Sequence, residues 1–485
     1  MKIHFHSLRT LAGISLVSAS LAACSLAPSY EQPPLPVAAH WQNDRQKNEA
    51  AGAQPDTLQA AAIAWTDFFQ DEQLRSVIAA ALENNCDLRM ATLNIERARA
   101  MYNIQSADRL PNLALNGNGA RQRLPADVNP TGRAGVNSSY FAGVGLAAFE
   151  IDLFGRVRNL SEAALQRYFA TEQAQRSAQI SLIAEVANTY EALVADRRLL
   201  LLTDNTLASR ADSYDRQKQL YAEGASSEYD LRQAESLFEA AKAARAQQER
   251  RTTLDENALT VLVGQPLAAD SGTAHATSAG QVLPDLPAGL PSDLLTARPD
   301  ILQQEAVLRS QNASIGAARA AFFPRISLTG NFGSASSQLS GLFDSGSRSW
   351  SFIPQISIPI FEGGRNIANL NVAETDKKIA VAQYEKTVQV AFREVADALA
   401  GRATLADEAG AVKAQEAAES ARYGFAKSRY EAGYSSYLEY LDAQRSLFAI
   451  QQQSIQVQLA ELQNRITLYK VLGGGWKTAK QSEGK

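Results

Sequence analysis

Leu438, Asp442 and Arg445 stand at i, i+4 and i+7, so on a helix they share one face that presents an apolar group, an anion and a cation in turn. Glu439 adds a second carboxylate beside them. Arranged around a three-fold axis, Leu438 would form an apolar constriction and Asp442 an anionic ring that favours cations. The plainer account is a solvated i, i+3 ion pair between Asp442 and Arg445. Other chemistry is thinly supplied. Of four histidines, His4 and His6 lie in the N-terminal leader and His40 and His275 in irregular segments, and no HExxH, nucleophile elbow or P-loop occurs. No catalytic residue and no metal site is expected, and the acidic residues of the amphipathic helices read as a solvated face.

A second chemical signal lies near the N-terminus. Lys2 and Arg9 precede an apolar run over residues 11–21 that is too short to span a bilayer, so residues 1–23 read as a signal peptide. The run closes on Leu21-Ala22-Ala23-Cys24, which resembles the lipobox of bacterial lipoproteins. That resemblance implies acylation of Cys24, a covalent lipid and no other cofactor; a chance cysteine behind an ordinary signal peptide is the alternative. Ser25, in place of an aspartate, favours the outer membrane. Cys86 is the only other cysteine and reads as a small helix-packing residue. Net charge is −4 with the charges interspersed, which argues against nucleic acid as a partner. No interior run approaches eighteen apolar residues, so a passage through a membrane has to use strands.

The scaffold that positions these groups is written twice. Pro111-Asn112-Leu113-Ala114-Leu115-Asn116-Gly117-Asn118 reappears as Pro324-Arg325-Ile326-Ser327-Leu328-Thr329-Gly330-Asn331. Tyr221-Ala222-Glu223-Gly224-Ala225-Ser226-Ser227 reappears as Tyr430-Glu431-Ala432-Gly433-Tyr434-Ser435-Ser436. A period of roughly 210 residues exceeds any solenoid unit and marks a duplicated module. The organisation read from this is a signal peptide 1–23, a tether 24–71, a first repeat 72–264, a linker 265–299, a second repeat 300–473 and a tail 474–485.

Each repeat predicts a helix, two strands and a long helical hairpin. In the first, a helix over 72–109 precedes strands over 113–123 and 140–154, a helix over 157–223 free of Pro and Gly, and a return helix capped by Ser226 or Ser227 and ending at 263. In the second, a helix over 298–321 precedes strands over 326–334 and 349–361, a helix over 366–432 interrupted at Gly401, Gly410 and Gly424, and a last helix after Gly433. A helix over 157–223 would reach roughly 100 Å. Ile180, Ile183, Ala187, Tyr190 and Val194, and Leu441, Phe448, Ile455, Leu462 and Tyr469, are spaced as coiled-coil seams. Pro28, Pro33, Pro34 and Pro36 predict an extended tether along the protein surface.

The strands are two-faced. Trp350, Phe352, Ile356, Ile358 and Ile360 alternate with Ser349, Ser351, Gln355 and Ser357, and Ile326, Leu328 and Phe332 alternate with Ser327, Thr329 and Asn331, so one face suits lipid and the other water. The register of the first two strands does not show itself in this way. An open sheet edge in hydrocarbon leaves backbone groups unpartnered, so the sheet has to close into a barrel. Two chains would give about eight strands, filled by their side chains, whereas three would give about twelve and a lumen. A trimer is therefore expected.

The lipobox, the tether, the duplicated plan, Leu290-Pro291-Ser292-Asp293-Leu294-Leu295 followed by Arg298-Pro299-Asp300-Ile301, and Tyr437-Leu438-Glu439-Tyr440-Leu441-Asp442-Ala443-Gln444-Arg445 together resemble the outer membrane factors of tripartite efflux and type I secretion. The chain is most similar to their OprM/NodT lipoprotein branch, of TolC-like fold. The resemblance implies a long α-helical coiled-coil barrel with four β-strands per protomer completing a trimeric 12-stranded barrel in the outer membrane. It implies a passive exit duct for drugs or other small molecules, delivered by an inner-membrane pump and a periplasmic adaptor. It places a periplasmic gate at Leu438, Glu439, Asp442 and Arg445, with weaker first-repeat counterparts at Tyr229, Asp230 and Arg232. It places adaptor-contacting tips at Gly224, Ser226, Ser227, Gly433, Ser435 and Ser436. A protein-secretion duct and a non-conducting trimeric lipoprotein are the alternatives, and the polar face of the strands speaks against the second.

Overall fold

The computed structural model describes residues 26–34, 63–267, 283, 286 and 298–476. The signal peptide, Cys24 and the Leu290-to-Leu295 motif lie outside the described residues. Two compact units are present, and each draws on both repeats: residues 1–34, 94–172 and 303–385 form one, residues 35–93, 173–302 and 386–485 the other.

The first unit holds a four-stranded antiparallel sheet in the order β1 (Leu113–Leu124), β2 (Gly135–Ile151), β3 (Arg325–Ser336) and β4 (Arg348–Ser357). Pairing of Phe332 with Trp350, and of Ile326 with Ile356, puts the apolar positions of β3 and β4 on one face, as their alternation predicts. The fourth strand is shorter than expected: it stops at Ser357, so Ile358 and Ile360 lie beyond it. Pro359 has no N–H to donate to a ladder, and Gly363 and Gly364, both at positive φ, turn the chain into the next helix.

The register of β2 depends on a bulge. From Tyr140 to Leu146 its even positions share the apolar face, since Val144 opposes Phe332 and Leu146 opposes Gly330. Pairing then resumes with Phe149 opposite Leu328 and Ile151 opposite Ile326. Two residues, Ala147 and Ala148, thus stand against Thr329, and Ala148 takes φ 46° while its N–H donates to Thr329 Oγ1 at 3.2 Å. The extra residue moves Phe149 and Ile151 onto the apolar face and turns Glu150 to the polar one. In β1, Leu113 and Leu115 share the apolar face through their partners Leu146 and Val144.

Beside the sheet, residues 26–34 run half-exposed along the helices of the same unit, as the tether's prolines predict. Asn312 donates to the Pro28 carbonyl at 2.7 Å and Tyr30 donates to Glu305 at 3.2 Å. A Cβ at Gly316 would stand 2.8 Å from Ala27, so glycine is what allows this approach.

Among the described residues the α-helices are α1 (Trp65–Phe68), α2 (Glu72–Asn84), α3 (Cys86–Ala107), α4 (Arg156–Ala222), α5 (Glu228–Val263), α6 (Pro299–Ala320), α7 (Arg365–Glu431) and α8 (Tyr437–Val471). Three differ from expectation. The helix expected over 72–109 is broken at Asn85, whose Oδ1 accepts from the Leu88 N–H and whose Nδ2 donates to the Leu262 carbonyl; Cys86, just past the break, is exposed rather than packed. The glycines of α7 do not interrupt it, and a Cβ at Gly401 would stand 2.4 Å from Asn464 Nδ2, so this glycine lets α7 approach α8. Within the segment assigned to the tether, α1 buries Trp65 and Phe68, and Phe68 stacks on Tyr469 at 4.0 Å.

Candidate functional site

In the helical unit the two hairpins turn in the same way. Gly224 and Gly433 take φ 73° and 76°, a conformation that costs glycine least. The Gly224 N–H donates to the Tyr221 carbonyl and the Ala225 N–H to that of Leu220; the Gly433 N–H donates to Tyr430 and the Tyr434 N–H to Arg429. Each turn thus satisfies the same two terminal carbonyls of the incoming helix. Ser227 and Ser436 then cap the outgoing helices, accepting from the N–H groups of Asp230 and Glu439. The other two serines differ. Ser226 donates to Gln217 at 2.8 Å, whereas Ser435 Oγ is buried with no hydrogen-bond partner among the described residues.

Just past the second turn, Leu438 is 55% exposed, a large apolar side chain offered outward. Asp442 accepts from Arg422 of α7 and lies 3.6 Å from Arg445. Glu439 pairs with Arg429 at 3.7 Å. The i, i+3 pair expected from spacing is therefore present, but the tighter partner of Asp442 comes from the facing helix. Arg422 escaped the sequence reading because it is not a helical neighbour of Asp442. Its signal was available: it precedes Gly433 by about as many residues as Asp442 follows it, as partners across a hairpin must.

Behind this face lies an aromatic cluster. Tyr430 and Tyr440 stack at 5.4 Å, Tyr423 and Tyr437 join them, and burial pushes the Tyr437 hydroxyl up from its ordinary range. Gln217 of α4 donates to Tyr430 Oη at 3.1 Å, and Gln444 donates to Ser209 Oγ at 3.0 Å, so the second hairpin is bonded to the first. Burial, with Arg445 nearby, lowers the Arg210 guanidinium. The first-repeat counterparts form no comparable set: Arg232 pairs within its own helix with Glu228 and Glu235, Asp230 bonds Ser227, and Tyr229 is exposed.

In the sheet unit the polar face carries Asn116, Asn118, Asn331, Ser351 and Gln355, with glycines between them. Asn331 donates to Ser351 Oγ at 3.4 Å, and the Asn116 and Asn331 amides meet above Gly145, where a Cβ would stand 2.5 Å from one and 2.6 Å from the other. Glu150 accepts from Arg156 at 2.7 Å and from Arg325 at 2.6 Å. Water-compatible chemistry thus backs onto an apolar face within one sheet.

A two-faced membrane-type sheet and paired long helices in one chain are a restricted combination, and comparison with known proteins decides which one. The profile of the outer membrane efflux protein family matches residues 77–265 and 290–474, one stretch in each repeat. The chain belongs to the outer membrane efflux protein family. It is 48% identical over 461 residues to the solvent efflux pump outer membrane protein SrpC of Pseudomonas putida, covering 95% of this chain and 97% of that one. It is 47% identical to the outer membrane protein OprJ of Pseudomonas aeruginosa, covering 95% of each. The open-state crystal structure of the Neisseria gonorrhoeae MtrE outer membrane channel superposes with TM-score 0.83 at 40% identity, covering 94% of this chain and 99% of that one. This efflux protein is accordingly a protein of the outer membrane, where its family forms channels, and its sheet is the part that suits lipid.

Proposed function

We propose that three copies of this efflux protein close a 12-stranded barrel, β1 of each protomer pairing with β4 of the next, and conduct small molecules out of the cell. The sheet carries this reading: one face is apolar, the other polar, and β1 and β4 are edges. Hydrocarbon does not tolerate open edges, and about twelve strands are needed before a lumen remains. The amides of Asn116 and Asn331 then line that lumen. The duct is passive; energy comes from an inner-membrane pump, joined by a periplasmic adaptor that meets the tips at Gly224, Ser226, Ser227, Gly433, Ser435 and Ser436. The cargo is drug-like or solvent-like, in line with relatives that are the outer membrane proteins of solvent, toluene and antibiotic efflux pumps.

The gate assigned by this reading is the Leu438 and Asp442 face of α8, held by Arg422 and Arg445, with Glu439 tied to Arg429. Acylation of Cys24 supplies a second anchor beside the barrel; the docked segment that begins at Leu26 would keep that lipid beside α6, since the Leu26 carbonyl accepts from Arg319. Native mass spectrometry of the purified protein in detergent should give three copies, and planar-bilayer recording should give channels. A monomer that keeps its strand content, or a trimer without conductance, would overturn the proposal. Intact-mass analysis should show acyl chains on Cys24; an unmodified N-terminus upstream of it would remove the lipid anchor.

A further inference from the structure

We propose that Arg121, Arg123 and Arg348 form a basic crown on the outward face of the barrel that binds the phosphate groups of the glycolipid in the outer leaflet. The strand register places them there. Arg121 and Arg123 continue the same face of β1 as Leu113 and Leu115, and Arg348 stands two residues before Trp350 on the apolar face of β4. On that face Tyr140, opposite Gly119, lies one step below Arg121, and Phe332 and Trp350 lie one step below Arg348, aromatic rings of the kind with which membrane barrels mark an interface. Tyr140 lies across Gly119, with a ring carbon 3.0 Å from where a Cβ would stand, so its ring belongs to the outward face.

The opposite end of this face carries Leu113, Ile151, Ile326 and Ile356 and no basic residue. The arginines are thus confined to the loop end, among and beyond these aromatic rings, where a charge meets headgroups instead of hydrocarbon. Arg121 and Arg348 are exposed, and none of the three forms an ion pair among the described residues. A guanidinium fork matches a phosphate in two hydrogen bonds, which an ester-linked phosphate on an outer-leaflet glycolipid offers at this height. The inference rests on the barrel reading, because pairing of β1 with a neighbour's β4 brings Arg121 and Arg123 of one protomer to the strand adjoining Arg348 of the next. Three guanidinium groups, two from one protomer and one from the next, meet at each interface, a site that no protomer has alone.

The test uses the full-length protein in detergent, incubated with bis-phosphorylated lipid A and followed by native mass spectrometry. The wild-type trimer should retain this lipid, and the Arg121→Gln/Arg123→Gln/Arg348→Gln variant should retain it at least about tenfold less while keeping its trimer mass. Lipid A stripped of its phosphates should bind both proteins equally weakly. Equal retention by wild type and variant, or retention of the dephosphorylated lipid by the wild type as strong as that of the phosphorylated one, would overturn the inference. Should the triple variant fail to assemble, Arg121→Gln and Arg348→Gln singly are each expected to lower retention, and unchanged retention in both overturns it. A monomeric wild type would instead refute the barrel reading, a separate outcome read from the same spectrum.

Discussion

Glu150 of β2 and Arg325 of β3 meet on the polar face of the sheet, with Nε 2.6 Å from Oε2. Their meeting depends on Ala147 and Ala148. Without the bulge, strict alternation from Leu146 would send Glu150 to the apolar face and Phe149 and Ile151 to the polar one. One extra residue corrects three side chains and keeps a carboxylate out of lipid.

Deleting Ala147 and Ala148 together should therefore abolish the assembled trimer, because it exchanges the faces of Phe149, Glu150 and Ile151, whereas deleting Ala148 alone leaves a regular ladder with these faces unchanged and should be tolerated. Ala148→Gly should be tolerated or stabilise by about 0.5–1 kcal/mol, since glycine reaches the positive φ of 46° at less cost. Trimer yield and thermal melting in detergent distinguish these outcomes. A stable trimer from the double-deletion variant would show that the facing of Phe149, Glu150 and Ile151 is not needed.

At the second hairpin, the Asp442→Ala and Arg422→Ala substitutions should each raise single-channel conductance by removing the ion pair that holds α7 to α8 at the tip. Asp442→Ala should also weaken cation preference, as it deletes the carboxylate ring. The pair is half-exposed, so each change should cost only about 0.2–1 kcal/mol of stability and leave the trimer intact. Unchanged conductance and selectivity in the assembled double variant would place the gate at other residues.

Glu191 offers a test of pH dependence. Burial first, and the Asp71 carboxylate second, push its carboxyl up to about 7 from the ordinary 4.5. The folded state then holds a proton that the unfolded chain releases, so this group's contribution to stability is greatest below the ordinary value and falls as pH rises through about 7. Glu191→Gln should flatten the fall in melting temperature between pH 5 and pH 8, conditions chosen on the order of the two values. At the upper pH it should stabilise by roughly 1–3 kcal/mol. An equal slope in both proteins would contradict the assignment.

Arg298 is buried and donates to Asp300 at 2.6 Å, to Glu394 at 2.8 Å and to the Val471 carbonyl at 3.1 Å. Arg298→Ala leaves two carboxylates without their cation and should cost about 3–5 kcal/mol, read as a lower denaturation midpoint. Arg298→Lys should recover part of this, because an ammonium keeps the charge but cannot present the planar fork to three acceptors.

Local rules were legible in the residues themselves. Gly224 and Gly433, followed by Ser227 and Ser436, announce a turn and a cap, because only certain residues reach those backbone angles or supply a side-chain acceptor there. Alternation in β3 and β4 determined which face is apolar, and the long tract without Pro or Gly determined α4. The duplication and the order of these elements were enough to identify the family. What remained hidden was long-range. The Asn85 break depends on a carbonyl from Leu262, the bulge at Ala148 on Thr329 across the ladder, and the Asp442 ion pair on Arg422 of another helix. Sequence periodicity reports which side of its own element a residue occupies. Tertiary structure decides which element faces it, because hydrogen bonds and ion pairs act over a few ångströms of space, however far apart their partners lie along the chain.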